Sequence, residues 1–373
     1  MDFFKPSLLW TRGTSNYSAE EISQKLESLG AEIEGFSGRN TFGLKALCLS
    51  QNIEEVLNLF ADIVKNPTFS EEECKKAKNE LLSSLLKQED HPISLAIKEF
   101  LKEMFPEHPY GLNKLGSKEF FLRFNSQDLK HAYEKFVVPS KGVFVIVGNI
   151  EEHYIKEKLT TLFKDFKDSP YAFTSEEKAP SLPKERKKLI KKDVFQTQII
   201  LGFQTPGLNS EEKTALEVLN SALSGQEGLL FKLLREEKAL AYSVTSLLIF
   251  YPKSSVFIFY IACSPEKTSE AIEGFWNILE ELSKEGLSEK ELTRAKNRLL
   301  GEIKISLQSN TSKAKTFAVN QVLGLGWNYY EKFENEVKKI TQEDIKSIIK
   351  NYLTKERSFM LILGNQNGNK SSQ

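Results

Sequence analysis

The chain has 373 residues, 40% apolar and 27% charged, which at roughly 150 residues per domain is enough for two or three globular cores. Lys plus Arg equals Asp plus Glu at 51 each, so the basic excess that a nucleic-acid partner needs is missing. No apolar run approaches the roughly 20 residues of a membrane-spanning helix, and the three scattered cysteines (Cys48, Cys74, Cys263) make neither a disulfide framework nor a cysteine zinc knuckle.

The opening Met1-Asp2-Phe3-Phe4-Lys5-Pro6 has no charged segment followed by an apolar one. No secretory signal is expected, and the cytoplasm is the compartment for the chain as it stands. An extension upstream of Met1 would make the periplasm the alternative. Ser18–Leu29 reads as a helix with Ser18 as cap, Glu21 completing a capping box and Gly30 as the stop. A strand follows near Glu34, and Asn40–Ser50 alternates as a second, with Phe42, Leu44, Ala46 and Cys48 on one face. Ile53–Lys65 is helical and ends at Asn66-Pro67. Ser70 caps a long helix that Pro92 interrupts and that continues to about Met104. After the loop His108-Pro109-Tyr110-Gly111 come a helix at Ser126–Phe136 and a buried strand at Val143–Val147.

Residues 168–186 hold three prolines and little periodicity, the signature of a linker. Beyond it, strands at Lys188–Lys192 and Gln196–Phe203 precede helices at Ser210–Leu223 and Glu227–Glu237. Strands Ala241–Phe250 and Ser255–Ala262 lead into a helical stretch, Glu266–Tyr330. A helix at Gln342–Leu353 feeds a last strand, Ser358–Leu363.

The two halves repeat each other. Gln127-Asp128-Leu129-Lys130 through Gly148-Asn149 matches Glu343-Asp344-Ile345-Lys346 through Gly364-Asn365 at a constant offset of 216. Ser70-Glu71-Glu72-Glu73 with Ala77-Lys78-Asn79 matches Ser288-Glu289-Lys290-Glu291 with Ala295-Lys296-Asn297 at an offset of 218. A period of this length means a duplicated domain and not a solenoid. The expected division is a first domain at 1–167, a linker at 168–186 and a second domain at 187–373. The second half opens with two strands and a helix (188–223) that have no counterpart in the 17 or so residues before Ser18, so the first sheet is expected to be incomplete.

Several segments in order carry a family resemblance: Arg12-Gly13-Thr14, Ser18-Ala19-Glu20-Glu21-Ile22, Asn66-Pro67-Thr68-Phe69, His108-Pro109-Tyr110-Gly111, Val145-Ile146-Val147-Gly148-Asn149, and Leu234-Arg235-Glu236-Glu237 with Leu240-Ala241-Tyr242-Ser243-Val244. Together they resemble the pitrilysin/insulinase family of inverted-zincin metallopeptidases, which includes the mitochondrial processing peptidases. The resemblance implies an α+β fold of two homologous domains. Each would be a mixed, largely antiparallel sheet with helices packed on one face, closing like a clam shell.

The chemistry implied is that of H-x-x-E-H, two histidines and a downstream glutamate on zinc with the intervening glutamate activating water. This chain departs from it. Counting back from Gly13-Thr14, the motif positions hold Phe4-Lys5-Pro6-Ser7-Leu8, and the downstream ligand position falls at Ser83 or Ser84. The four histidines (His91, His108, His131, His153) include no pair three to five apart. No cofactor or metal is therefore expected in this chain. Zinc is expected in a homologous, H-x-x-E-H-bearing partner subunit, with a peptide as substrate and this chain as the non-catalytic half of a hetero-oligomer. The alternative is a structural or peptide-binding protein with the same fold and no catalytic partner.

The family's second-domain element is retained. The resemblance assigns Arg235 and Tyr242, seven apart, to substrate or oxyanion contacts made in trans at the partner's zinc, a use that guanidinium and phenol donors suit. The plain alternative is a solvated helix arginine and a core aromatic. Other features have ordinary readings. Glu71-Glu72-Glu73 favours a helix N-terminus, Leu229, Leu230, Leu233 and Leu234 form a core stripe, and Cys48 and Cys263 are expected to be buried, inert thiols.

Overall fold

The computed structural model describes residues 9–168, 180–181 and 186–365. In chain order, the first half comprises α1 (Ala19–Ser28), the hairpin β1 (Glu32–Ser37) and β2 (Phe42–Leu47), and helices α2 (Ile53–Lys65), α3 (Glu71–Asp90), α4 (Pro92–Met104), α5 (Lys118–Arg123), α6 (Ser126–Phe136) and α7 (Glu152–Phe163). The second half begins with β3 (Lys187–Lys191), β4 (Thr197–Thr205) and α8 (Lys213–Leu223). It continues with β5 (Ala241–Phe250), β6 (Ser255–Cys263), α9 (Thr268–Lys284) and α10 (Glu289–Ser306). The last elements are α11 (Asn310–Val322), α12 (Tyr329–Lys339), α13 (Gln342–Tyr352) and β7 (Ser358–Gly364). Among the described residues no helix is long and apolar enough to cross a membrane.

The duplication is written into the helix caps. Asn125 and Asp128 form a reciprocal capping box on α6, and Thr341 and Asp344 form the same box on α13 at the 216-residue offset. Ser70 accepts from the Glu73 amide at 3.3 Å, as Ser288 does from the Glu291 amide. The helix that follows begins in each half at the matching place, α4 after His91 and α11 after Ser309.

Division by repeat and division by contact differ. One compact unit contains described residues 9–86, 114–168 and 306–329; the other contains 87–113, 180–181, 186–305 and 330–365. Each unit thus takes one helix from the opposite half: α11 in the first, α4 in the second.

The second unit is built on a five-stranded sheet, order β3-β7-β4-β6-β5, antiparallel except for the β3–β7 pair. Strands β4, β6 and β7 are buried along their whole length, as apolar runs without alternation require. One face presents Phe203 and Phe259 to Phe275 and Trp276 of α9, with ring centroids 5.5 to 6.0 Å apart. The helices expected on one face are there. The alternate residues, Ile200, Ile258, Tyr260, Phe359 and Leu361, pack on α4, so the sheet is covered on its other face too. Phe100 of α4 lies against Gly202, where any Cβ would collide with its ring. Edge strand β3 carries Lys187, Lys188 and Lys191, charges that discourage strand addition.

The first unit has a smaller sheet. β1 pairs with β2 from Glu32↔Leu47 to Ser37↔Phe42, and among the described residues these two strands are the whole of it. Its core gathers Leu9, Trp10, Ile22, Ile33, Val56, Leu59, Ile63, Phe69, Phe124 and Leu129. The strand expected at Val143–Val147 does not form, a correction with a physical cause. Its counterpart β7 is held in ladders between β3 and β4, and among the described residues nothing equivalent flanks 143–147. Phe144 packs instead on Phe60 of α2 and Phe163 of α7, at 5.4 and 6.2 Å.

Candidate functional site

The site grows from two backbone irregularities in the second unit. The helix after Gly228 opens as an α-turn and widens over Phe231–Glu237 into a π-helix, a rare form that frequently accompanies functional sites. Leu234 anchors it. That side chain is fully buried against Gly274 of α9, where an added Cβ would stand 2.5 Å from its methyl. The exit is a left-handed turn at Ala239 (φ 49°), with the Leu240 amide donating to the Leu234 carbonyl at 2.8 Å and Lys267 Nζ donating to the Ala239 carbonyl at 2.7 Å. Leu240 is buried and starts β5.

The second irregularity lies one residue further on. Ala241 pairs with Cys263 and Ser243 with Ala262, leaving Tyr242 as the extra residue of a β-bulge. The bulge frees Tyr242 from the ladder and leaves it 76% exposed. The structure brings the two expected residues together: the Arg235 guanidinium carbon lies 5.3 Å from the Tyr242 ring centroid. It also lies 4.6 Å from the ring of Phe231, one turn earlier. Sequence reasoning passed over Phe231, although an aromatic four residues before an arginine on a helix is a legible cation–π spacing. Among the described residues Arg235 makes no ion pair or hydrogen bond, and the Tyr242 hydroxyl has no hydrogen-bond partner. The pair therefore presents unspent donors at the surface.

The first unit offers nothing comparable for a metal. Phe4-Lys5-Pro6-Ser7-Leu8 lie outside the described residues, and none of those side chains is a usual zinc ligand. Ser83 and Ser84 sit on α3, where the Ser84 hydroxyl donates to the Glu80 carbonyl at 2.9 Å. The nearby carboxylates are engaged. Arg12 Nη2 donates to both Glu80 oxygens at 2.9 and 2.7 Å and Nη1 reaches Glu73 at 3.5 Å, while Lys76 holds Glu73 at 2.7 Å. His108 accepts from the Tyr110 amide through Nδ1, and His153 pairs with Glu157 at 3.2 Å. Among the described residues no group of three His, Cys, Asp or Glu could hold a metal ion. A zinc ion does not fit the described residues of this unit.

Gly13-Thr14 has a structural use. Thr14 Oγ1 donates to Asp62 Oδ2 at 2.6 Å, while Asn16 and Asn66 donate to Asp62 Oδ1 at 2.6 and 2.7 Å. Of the thiols, Cys74 and Cys263 are buried as inert cysteines are, with burial pushing the Cys263 thiol up to about 11. Cys48 is only half-buried at the end of β2, where partial desolvation also raises its pKa.

Comparison with known families decides the ancestry. Residues 8–118 match the family model for insulinase (peptidase family M16), and residues 123–299, which include Arg235 and Tyr242, match the model for the peptidase M16 inactive domain. The chain belongs to peptidase family M16. Among M16 relatives, YmxG of Bacillus subtilis, described as an uncharacterized zinc protease, is 27% identical over 95% of this chain and 86% of its own. An uncharacterized zinc protease of Mycobacterium bovis is 24% identical over 92% and 79%. The M16 fold is also that of a peptidase M16 inactive domain from Pseudomonas fluorescens, with a TM-score of 0.86, 21% identity, and coverage of 98% of this chain and 89% of that one. A protease from Helicobacter pylori aligns with a TM-score of 0.82 at 19% identity, over 96% and 87%.

Proposed function

We propose that this M16 protein is the non-catalytic subunit of a two-part zinc peptidase. It binds an extended peptide and lends Arg235 and Tyr242 to the reaction at the zinc of a homologous, H-x-x-E-H-bearing subunit. The observation that carries the reading is the pair itself. A guanidinium and a phenol stand together on an exposed face, set there by a π-helix and a bulge, with donors that no residue of the described chain consumes. Backbone irregularities of this kind have a stability cost that a merely structural arginine does not explain. The zinc, when bound in the partner, supplies the Lewis acid and activated water. This chain's part is to hold the peptide and to offer N–H and O–H donors where negative charge develops on the carbonyl oxygen.

The test is co-purification with the homologous subunit, followed by metal analysis and peptidase assays of the complex and of this chain alone. About one zinc per complex, none in this chain alone, and cleavage only by the complex are the expected results. Stoichiometric zinc and chelator-sensitive cleavage by this chain alone would refute the proposal. An inactive complex without zinc would favour the purely structural or peptide-binding alternative.

A further inference from the structure

We propose that Arg235 is a receptor for a peptide carboxylate, with Tyr242 beside it and Phe231 as its positioning residue. The inference rests on the reading above, that this face meets a peptide, and adds the chemical group it recognises. Four other arginines spend their donors on oxygen atoms of the chain itself, while Arg357 lies over the single ring of Tyr352 at 5.2 Å. Arg12 binds Glu73 and Glu80, Arg186 the Ser358 carbonyl, Arg294 the Ala222 carbonyl, and Arg298 Glu302 with two carbonyls. Arg235 instead lies over two aromatic rings, at 4.6 and 5.3 Å, and no ion pair joins it to its neighbours Glu236 and Glu237.

That difference selects a ligand. An aromatic ring attracts the guanidinium charge through its π face but leaves the in-plane N–H fork unspent. The fork matches the two oxygens of a carboxylate with parallel hydrogen bonds, and the ligand's charge answers a cation that lacks a counter-ion among the described residues. A neutral carbonyl engages the fork less fully and brings no charge. Phe231 restricts the rotamers of a long, flexible side chain, lowering the ordering cost that binding would otherwise incur. The carboxylate could be a chain terminus or an aspartate or glutamate side chain, the same chemistry from two sources.

The experiment uses the full chain and follows the Arg235 Nε–H signal by NMR, assigned by its loss in Arg235→Lys. Three probes are titrated: an N-acetylated oligoalanine with a free C-terminal carboxylate, the same peptide amidated, and an amidated version carrying a single glutamate. At least one acid probe is expected to shift the signal saturably, and the neutral amide to bind at least about tenfold more weakly, the factor lost with a charged acceptor. The stronger of the two acid probes identifies the source. Phe231→Leu, which keeps apolar volume without the π face, should weaken acid binding about threefold while leaving the thermal midpoint near that of the wild type. Equal binding of acid and amide, or no movement of the signal with any probe, would overturn the carboxylate assignment. Unchanged acid binding in Phe231→Leu would overturn the positioning role. A complex that loses turnover with Arg235→Ala while acids and amides bind alike would keep the substrate contact and remove only the carboxylate.

Discussion

Ala239 occupies a left-handed conformation that costs an L-residue about 1 kcal/mol or more, and it does so between the two residues of the candidate site. Ala239→Gly should remove that strain and, allowing for the larger entropy of glycine in the unfolded chain, raise stability by up to about 1 kcal/mol. Urea unfolding measures it; a loss of stability would mean that the alanine methyl makes a contact worth more than the strain. The thiols give a second prediction. Burial raises the Cys263 pKa from 9.0 to about 11, so the folded state holds its proton more tightly than the unfolded state does. Its contribution is complete below pH 9 and is lost as pH rises towards 11, so stability should fall across that window. At pH 8 a thiol reagent should modify Cys48 first and slowly, with Cys74 and Cys263 protected until unfolding. Rapid native-state labelling of Cys263 would contradict its placement. At this scale the resemblance singles out Arg235 and Tyr242, and the structure sets the two side by side. The four-residue spacing of Phe231 and Arg235 was equally visible, but the π-turn that carries both was not, because sequence periodicity does not reveal it.

Helix α4 shows how far an element's partners can lie from its sequence neighbours. Its apolar stripe and its proline at the first helical position were readable, and a helix with one interruption at Pro92 was the natural reading. What it packs on was not readable, since the sheet that buries Phe100 begins about a hundred residues later. Phe100→Ala should therefore destabilise the protein by about 3–5 kcal/mol, the usual cost of emptying a fully buried aromatic site. The loss should appear as faster hydrogen exchange in β4 and β7. Exchange that rises only within the first half would contradict the packing. The Val143–Val147 segment teaches the converse lesson. Its apolar run has the composition of β7, but strand character is a property of pairs, and the flanking strands that make β7 a strand have no counterpart beside it among the described residues. Repeat logic foresaw the missing strands, and only their consequence for this segment was misread.

On the scale of the whole molecule, the chain carries the M16 fold, and among its described residues no group of three His, Cys, Asp or Glu could hold a metal ion. The expectation that zinc belongs to a partner rests on the histidine count and on Ser83 and Ser84, because ligand identity and spacing are written directly in sequence. The exchange of helices between the two units was hidden, since it depends on long-range packing that no local period encodes. The central claim is that Arg235 and Tyr242 act on a substrate held at another subunit's metal. The most direct measurement is the turnover of the reconstituted complex with Arg235→Ala or Tyr242→Phe in this chain, with assembly checked by gel filtration. Turnover should fall by about 10²-fold or more with the complex intact, on the scale of losing one oxyanion donor. Unchanged turnover in both variants, with the complex intact, would contradict the claim and leave the chain a structural role alone.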